Sequence, residues 1–263
     1  MTTVSDILHY LDTVAPGYMQ EDWDKAGLNC GHLESPVTKI LVALDPFDSV
    51  CKEAKELGAE LLITHHPLLW ESGFITDQSA QGENTLFLIE NKIAHICAHT
   101  NLDCAPGGVN DTLAYKLGLQ DIQVIAPKGT DANGEPWGLL RQGAVSSQEL
   151  DDFLRHVKKS LGCEGLRYVD GSKRVCRVAV GGGACASELA QAKEAGCDTF
   201  VTADCKYNHF FDAKYWGINL IDAGHFYTEN PVVSVLAHKL RQAFPNIIVE
   251  ISQNHRDCAK FFL

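Results

Sequence analysis

The chain has 263 residues, 45% of them hydrophobic and 21% charged, with a net charge of −12 at pH 7. That length can build one large domain or two small ones, each with its own core. The acidic balance disfavours nucleic acid or an anionic membrane as the main partner, because both need a basic footprint, and no apolar run approaches the roughly 18 residues of a spanning helix.

The N-terminus, Met1-Thr2-Thr3-Val4-Ser5-Asp6, lacks the basic start and apolar core of a signal peptide. The ten cysteines include no C-x-x-C pair. They read as reduced, mostly buried small hydrophobes, which together with the N-terminus predicts a cytoplasmic protein.

Ser5 to Val14 predicts a short amphipathic helix with Ile7, Leu8 and Leu11 on one face. Residues 21–31 read as an irregular polar loop carrying Trp23, either lining a site or anchored to the core by its indole. A strand over Lys39–Leu44, a helix over Phe47–Leu57 capped by Gly58, and a strand over Glu60–Thr64 follow. Residues 70–82 form a polar loop. A helix over Asn84–Asn91, a strand over Ile93–Ala98 and a helix from Val109 to Leu117 complete the first part. Residues 126–136 gather Pro, Gly, Asp and Asn, and mark the boundary between an N-terminal unit (1–126) and a C-terminal unit (127–263). The second unit reads as a strand at Trp137–Val145, a helix at Ser147–Leu161 and strands at Leu166–Val169 and Arg174–Val180. After Gly181-Gly182-Gly183 come a helix at Ala186–Ala195 and a strand at Asp198–Thr202, then a helix, a strand at Ile218–Ile221, a helix at Pro231–Gln242 and a strand at Ile247–Ile251. The alternation predicts an α/β fold of two similar units with mainly parallel or mixed sheets.

The two units repeat each other. At a separation of 138 positions Val42 matches Val180, Ala54-Lys55-Glu56 matches Ala192-Lys193-Glu194, Gly58 matches Gly196 and Thr64 matches Thr202. At the end of this repeat the first unit carries His65-His66-Pro67 and the second Ala203-Asp204. At a separation of 126, His99 matches His225 and Asp103 matches Glu229, so both units carry a strand, then His-x-x-x-acid, then a helix start. Glu229 is expected at a helix N-terminus with His225 at the preceding strand end, and Asp103 at an exposed rim. Neighbouring strand residues point to opposite faces, but at a strand end before proline both imidazoles of His65-His66 can flank one pocket. In α/β sheets the crevice beyond the strand carboxyl ends is where ligands bind, and two units set face to face predict a metal site in the cleft between them.

The candidate ligands are His65, His66, Asp103, His225 and Glu229. Three imidazoles with two carboxylates suit Zn, Mn, Fe, Co or Ni better than Ca or Mg. Five ligands exceed what one catalytic ion usually takes and fit two divalent ions sharing a carboxylate. The Gly181–Gly183 run, between a strand and a helix, could expose backbone N–H groups to phosphate, but it lacks the spacing of a nucleotide-binding motif and reads rather as a tight turn. His9, His32, His95, His156, His238 and His255 have no acid at ligand spacing, His209 is a weak candidate for the pocket, and Asp45 reads as a helix cap.

Four segments carry a family resemblance: Trp23-Asp24 with Gly27-Leu28; Thr64-His65-His66-Pro67; His99-Thr100-Asn101-Leu102-Asp103 with Gly107-Gly108-Val109-Asn110; and Asp222 through Glu229. Together they resemble the Nif-three-like family, the GTP cyclohydrolase I type 2 homologues, over nearly the whole chain. The sequence departs from the family pattern at Lys25, where Asn is common, and at Ala203, where Gly is usual. The resemblance implies a dinuclear metal centre on the five ligands with Glu229 bridging, His99 as a substrate-facing or catalytic residue, and a toroidal homohexamer. Many members carry an inserted domain, for which this chain has no room. It also implies a metal-dependent hydrolase in which an activated hydroxide attacks C8 of GTP and opens the imidazole ring, with His99 moving the proton. A metal-delivery or scaffold protein with little turnover and a nucleotide phosphoesterase stay open as alternatives.

Overall fold

A computed structural model describes residues 1–70 and 73–262. The expected loop at 70–82 includes positions 71 and 72, which lie outside the described residues. In chain order the elements begin with α1 (Val4–Val14), β1 (Gly27–Cys30), β2 (Lys39–Ala43), α2 (Asp48–Leu57), β3 (Leu61–Thr64), α3 (Ala80–Glu90), β4 (Ala94–Cys97) and α4 (Thr100–Cys104). They continue with α5 (Val109–Lys116), β5 (Gln120–Ile125), β6 (Gly129–Thr130), β7 (Pro136–Trp137), β8 (Leu140–Gln148), α6 (Leu150–Leu161), β9 (Arg167–Val169) and β10 (Val175–Val180). The last are α7 (Leu189–Glu194), β11 (Thr199–Thr202), α8 (Tyr207–Trp216), β12 (Asn219–Asp222), α9 (His225–Glu229), α10 (Pro231–Ala243) and β13 (Ile248–Ile251).

The first unit comprises Met1–Ala105 and Val233–Arg256. Its sheet runs β1-β4-β3-β2-β13, parallel except for β1, which pairs antiparallel with β4. β3 and β4 are buried along their whole length, as expected for parallel strands covered on both faces. α1 starts at Thr3, whose hydroxyl accepts from the Asp6 amide while the Asp6 carboxylate accepts from the Thr3 amide at 2.8 Å. α2 ends at Gly58, whose φ of 67° falls where a side chain is disfavoured.

The second unit comprises Pro106–Val232 and Asp257–Leu263. Its mixed sheet runs β5-β8-β10-β11-β12-β9, with the central β10, β11 and β12 parallel and the flanking strands antiparallel. The Pro- and Gly-rich stretch taken from sequence as a boundary lies inside this unit, where it forms the β6–β7 hairpin. The chain changes unit at residue 105 instead and returns through α10 and β13.

The predicted repeat is visible in the strand register: Val42 pairs with Ile63 in the first unit and Val180 with Val201 in the second. Some elements differ from expectation. Gly27–Cys30 is an edge strand, not loop. β5 went unpredicted because its Gln-Asp-Ile-Gln-Val-Ile pattern is largely exposed. The helix expected from Ser147 starts at Leu150, because β8 runs on to Gln148. The helix expected over Ala186–Ala195 is a 3-10 turn followed by the six residues of α7.

Candidate metal centre

In the first unit, β3 ends at Thr64 and delivers His65 and His66, both buried, before Pro67 stops the element. The His66 amide donates to Leu44 O at 2.9 Å, extending the sheet pairing by one step. Each imidazole is tied at Nδ1. His65 Nδ1 lies 2.8 Å from Ala98 O, and His66 Nδ1 lies 2.6 Å from Asp45 Oδ1. A carbonyl or carboxylate oxygen can only accept, so Nδ1 carries the hydrogen in both rings and Nε2 keeps its lone pair. This is the arrangement in which imidazoles serve as metal ligands. Asp45 holds a second histidine through its other oxygen, which lies 2.9 Å from His255 Nε2. Burial works to raise the Asp45 pKa, but the hydrogen bonds from His255 and His66 overrule it and hold the carboxyl well below the usual range.

His99 follows the same pattern. Its Nδ1 lies 2.8 Å from Asp24 Oδ1. The other Asp24 oxygen accepts from the Thr100 amide at 2.9 Å and from the Thr100 hydroxyl. Burial again opposes ionisation, and the bonds from His99 and Thr100 hold Asp24 well below its ordinary pKa. The irregular stretch around Trp23 thus lines the site, and Trp23 itself is exposed rather than anchored in the core. Asp103 stands on α4, buried and not on an exposed rim, with Oδ1 3.6 Å from His65 Nε2. His65, His66 and His99 each offer a nitrogen within 4.8 Å of the others, a group that could hold a metal ion.

In the second unit His225 opens the five-residue helix α9 and Glu229 closes it. His225 is therefore helical rather than at the strand end, and Glu229 sits just ahead of Pro231 at the start of α10. The i,i+4 spacing brings His225 Nε2 to 3.0 Å from Glu229 Oε2, while Nδ1 lies 2.8 Å from Asp204 Oδ2. Burial pushes the His225 pKa down, but the hydrogen bonds to Asp204 and Glu229 outweigh it and raise the value to about 11. Two carboxylates around one imidazole favour positive charge at this place, which the His225 proton supplies here.

The triglycine run leaves room for these side chains. Gly183, with φ of 62°, lies so close to Glu229 that a Cβ would press on its Oε1 and stand 3.1 Å from His225 Nε2. The Gly182 amide donates to Asn110 Oδ1 at 2.7 Å and the Gly183 amide to Thr228 Oγ1 at 3.0 Å. Both amides are committed inside the unit, which agrees with a tight turn and not with a phosphate cradle.

The family model for Duf34/NIF3 (NGG1p interacting factor 3) matches residues 2–257. The chain belongs to the Duf34/NIF3 family. A relative from Clostridium perfringens, named GTP cyclohydrolase 1 type 2 homolog, is 35% identical over 242 residues, 91% of either chain. One from Clostridium acetobutylicum with the same name is 33% identical over 264 residues, 98% of either chain. The crystal structure of a Bacillus cereus protein related to NIF3 superposes with a TM-score of 0.93 at 27% identity, covering 100% of this chain and 99% of that one. Among the described residues of this Duf34/NIF3 chain no helix is long and apolar enough to cross a membrane.

Asp24, Asp45, Asp204 and His255, none of them a candidate ligand by sequence, are the partners that orient the candidate histidines or their acids. Asp45 does not cap α2, and it bonds His255 across 210 residues of sequence. Asp204 carried a usable signal, since it occupies the repeat position of His66. His209 accepts from the Lys206 amide in the cap of α8. His95 is wholly buried against the Thr64 hydroxyl at 2.7 Å, and burial lowers its pKa to about 3.

Proposed function

We propose that this chain is a metal-dependent hydrolase of the GTP cyclohydrolase type. The observation that carries the reading is the shared tethering of His65, His66 and His225 through Nδ1 to fixed oxygens, beside the carboxylates of Asp103 and Glu229. The name that the relatives carry, GTP cyclohydrolase 1 type 2 homolog, supports the reaction class. On this reading His65, His66, Asp103, His225 and Glu229 would hold two divalent ions. The donor set fits Zn, Mn, Fe, Co or Ni. Ions of this kind supply charge stabilisation and acidify bound water.

The protein's own groups do the rest. Asp24 fixes the ring and tautomer of His99, leaving Nε2 to take up a proton and return it to a ring nitrogen of the substrate. Asp45 and Asp204 hold the ligand rings in place and keep them basic. A homohexamer is part of the same proposal. In its support, Tyr207, Phe211 and Tyr215 stand exposed at four-residue spacing along α8, an apolar stripe of the kind that marks association surfaces.

The test is metal analysis of protein purified without added metal or chelator, with formate and phosphate release measured on GTP and mass by light scattering. About two ions per chain with formate release supports cyclohydrolysis. Phosphate release makes it a phosphoesterase. Bound metal with neither product makes it a metal-delivery or scaffold protein, and no metal after reconstitution overturns the five-residue centre.

A further inference from the structure

Two indoles stand beside the first unit's histidine cluster. Trp23 immediately precedes Asp24 and is 61% exposed; Trp70 lies just beyond the His65-His66 pair and is 47% exposed. Both meet His99 edge-on, with ring centroids 5.8 Å apart at 72° for Trp23 and 5.2 Å apart at 84° for Trp70. Trp70 also tilts against His66 at 5.8 Å. An indole is the largest apolar payload a chain can bury. Here two are held with much of their surface in solvent, next to the imidazole proposed to move the proton.

Their backbones are fixed by other contacts. The Asp24 carboxylate pins the Trp23 loop to Thr100 and His99, and the Leu68 amide donates to Asn29 Oδ1 at 3.0 Å ahead of Trp70. A carboxylate stands against each imidazole: Asp24 on His99, Asp45 on His66 and Asp103 on His65. Exposed indole π-faces beside the imidazoles favour a flat heterocycle that can stack on them.

We propose that Trp23 and Trp70 are specificity-determining walls of the substrate site, and that they take a purine base stacked against indole with its edge toward His99. This rests on the reading of the cluster as the reacting site. The base, rather than the phosphates, is then what the first unit recognises.

The experiment is a titration of metal-loaded protein with guanosine, followed by tryptophan fluorescence, with inorganic tripolyphosphate as the second probe. Guanosine is expected to quench saturably and tripolyphosphate to leave the signal unchanged. Trp23→Ala and Trp70→Ala should each weaken guanosine binding roughly tenfold, the size of one lost base–indole stack. Trp23→Phe should recover most of the loss, and Trp216→Phe should bind as the parent does. Metal content and circular dichroism should be unchanged in every variant, because both indoles are surface groups. Absence of saturable quenching by guanosine, or unchanged affinity in the Trp23→Ala Trp70→Ala double variant, overturns the proposal. The two readings fail separately. Guanosine binding through the indoles with no formate from GTP leaves the walls standing and removes the cyclohydrolase. Formate release with unchanged KM in the double variant removes the walls and leaves the cyclohydrolase.

Discussion

In the first unit Asp45 follows β2 and takes hold of His66; in the second, the repeat position of Asp45 is Gly183, which has no side chain. The positions after β3 carry His65 and His66, and those after β11 carry Ala203 and Asp204. One backbone plan therefore presents histidines at the strand end with an acid behind them, while the other presents an acid at the strand end with a histidine in front. In the second unit the carboxylate comes from Glu229, on the helix after the next strand, and Gly183 is small because Glu229 needs the space. The repeat sets where side chains can stand, and the residue placed there decides whether it binds or orients. The two sets differ in exposure as well: His65 and His66 are buried, whereas the His225 side chain is about one-third exposed.

The largest effects should come from removing the second unit's carboxylate. Glu229→Ala should lose most of the bound metal with the far-ultraviolet spectrum unchanged, since the residue ends a five-residue helix and not a core element. Full metal retention, measured by elemental analysis, would refute the bridging role. Gly183→Ala tests the same site from the backbone side. A left-handed φ costs a residue with a Cβ about 1–2 kcal/mol, and the added methyl would also push Glu229 aside. This variant should lose metal and stability together, whereas Gly58→Ala, also left-handed but with nothing within 4 Å, should lose stability alone.

The acids that orient the rings come next. Removing such a partner typically lowers metal affinity about 10–100-fold. Asp45→Ala should fall near the top of that range, because Asp45 serves both His66 and His255 from a mostly buried position. Asp204→Ala should fall near the bottom, because Asp204 is half exposed and serves one ring. Competition titrations against a chelator decide the order, and a larger loss in Asp204→Ala would reverse the contrast drawn between the two sets.

The legible parts of this site share a property. His65 and His66 directly follow a strand end, and Asp103, His225 and Glu229 stand on the short helices α4 and α9 at matching places of a repeat, so local pattern and internal symmetry both mark them. Asp24 and Asp45 reach their histidines from 75 and 21 residues away, and His255 reaches Asp45 from 210. Nothing in a local window encodes those pairings; they exist once the sheet has brought the loops after β2, β3 and β4 side by side. The misplaced unit boundary has a similar cause. Turn-rich composition marks 126–136 equally well as a linker or as a hairpin, and only the pairing of Gly129 with Trp137 decides. α4 escaped because five residues are too few to show a helical period.

The smallest effect, and the one that separates the two units most directly, is the pH dependence of the metal-free protein. His225 is raised to about 11 in the folded state, above an unfolded value near 6.5. Its contribution to stability is fully present below about pH 6.5 and is lost as pH climbs through about 11. Asp24 and Asp45 are lowered in the folded state. Their contribution is present above the unfolded carboxylate value near 3.9 and is lost as pH falls below it. Asp204 of the second unit is lowered too, by its bond to His225. Acid should therefore loosen both units, and loss of the His225 proton in alkali the second. Thermal melts across pH should show both limbs, with shifts of a few degrees. Asp204→Asn should flatten the alkaline limb and take its own share of the acid one, because the carboxylate that holds the proton on His225 is itself held ionised by His225. Asp24→Asn should flatten the acid limb and leave the alkaline one, because the charge lost is one that the folded state keeps ionised against burial. If Asp24→Asn flattened the alkaline limb as well, the two sets would be titrating as one, and the division of labour between the units would have to be replaced by a single coupled network.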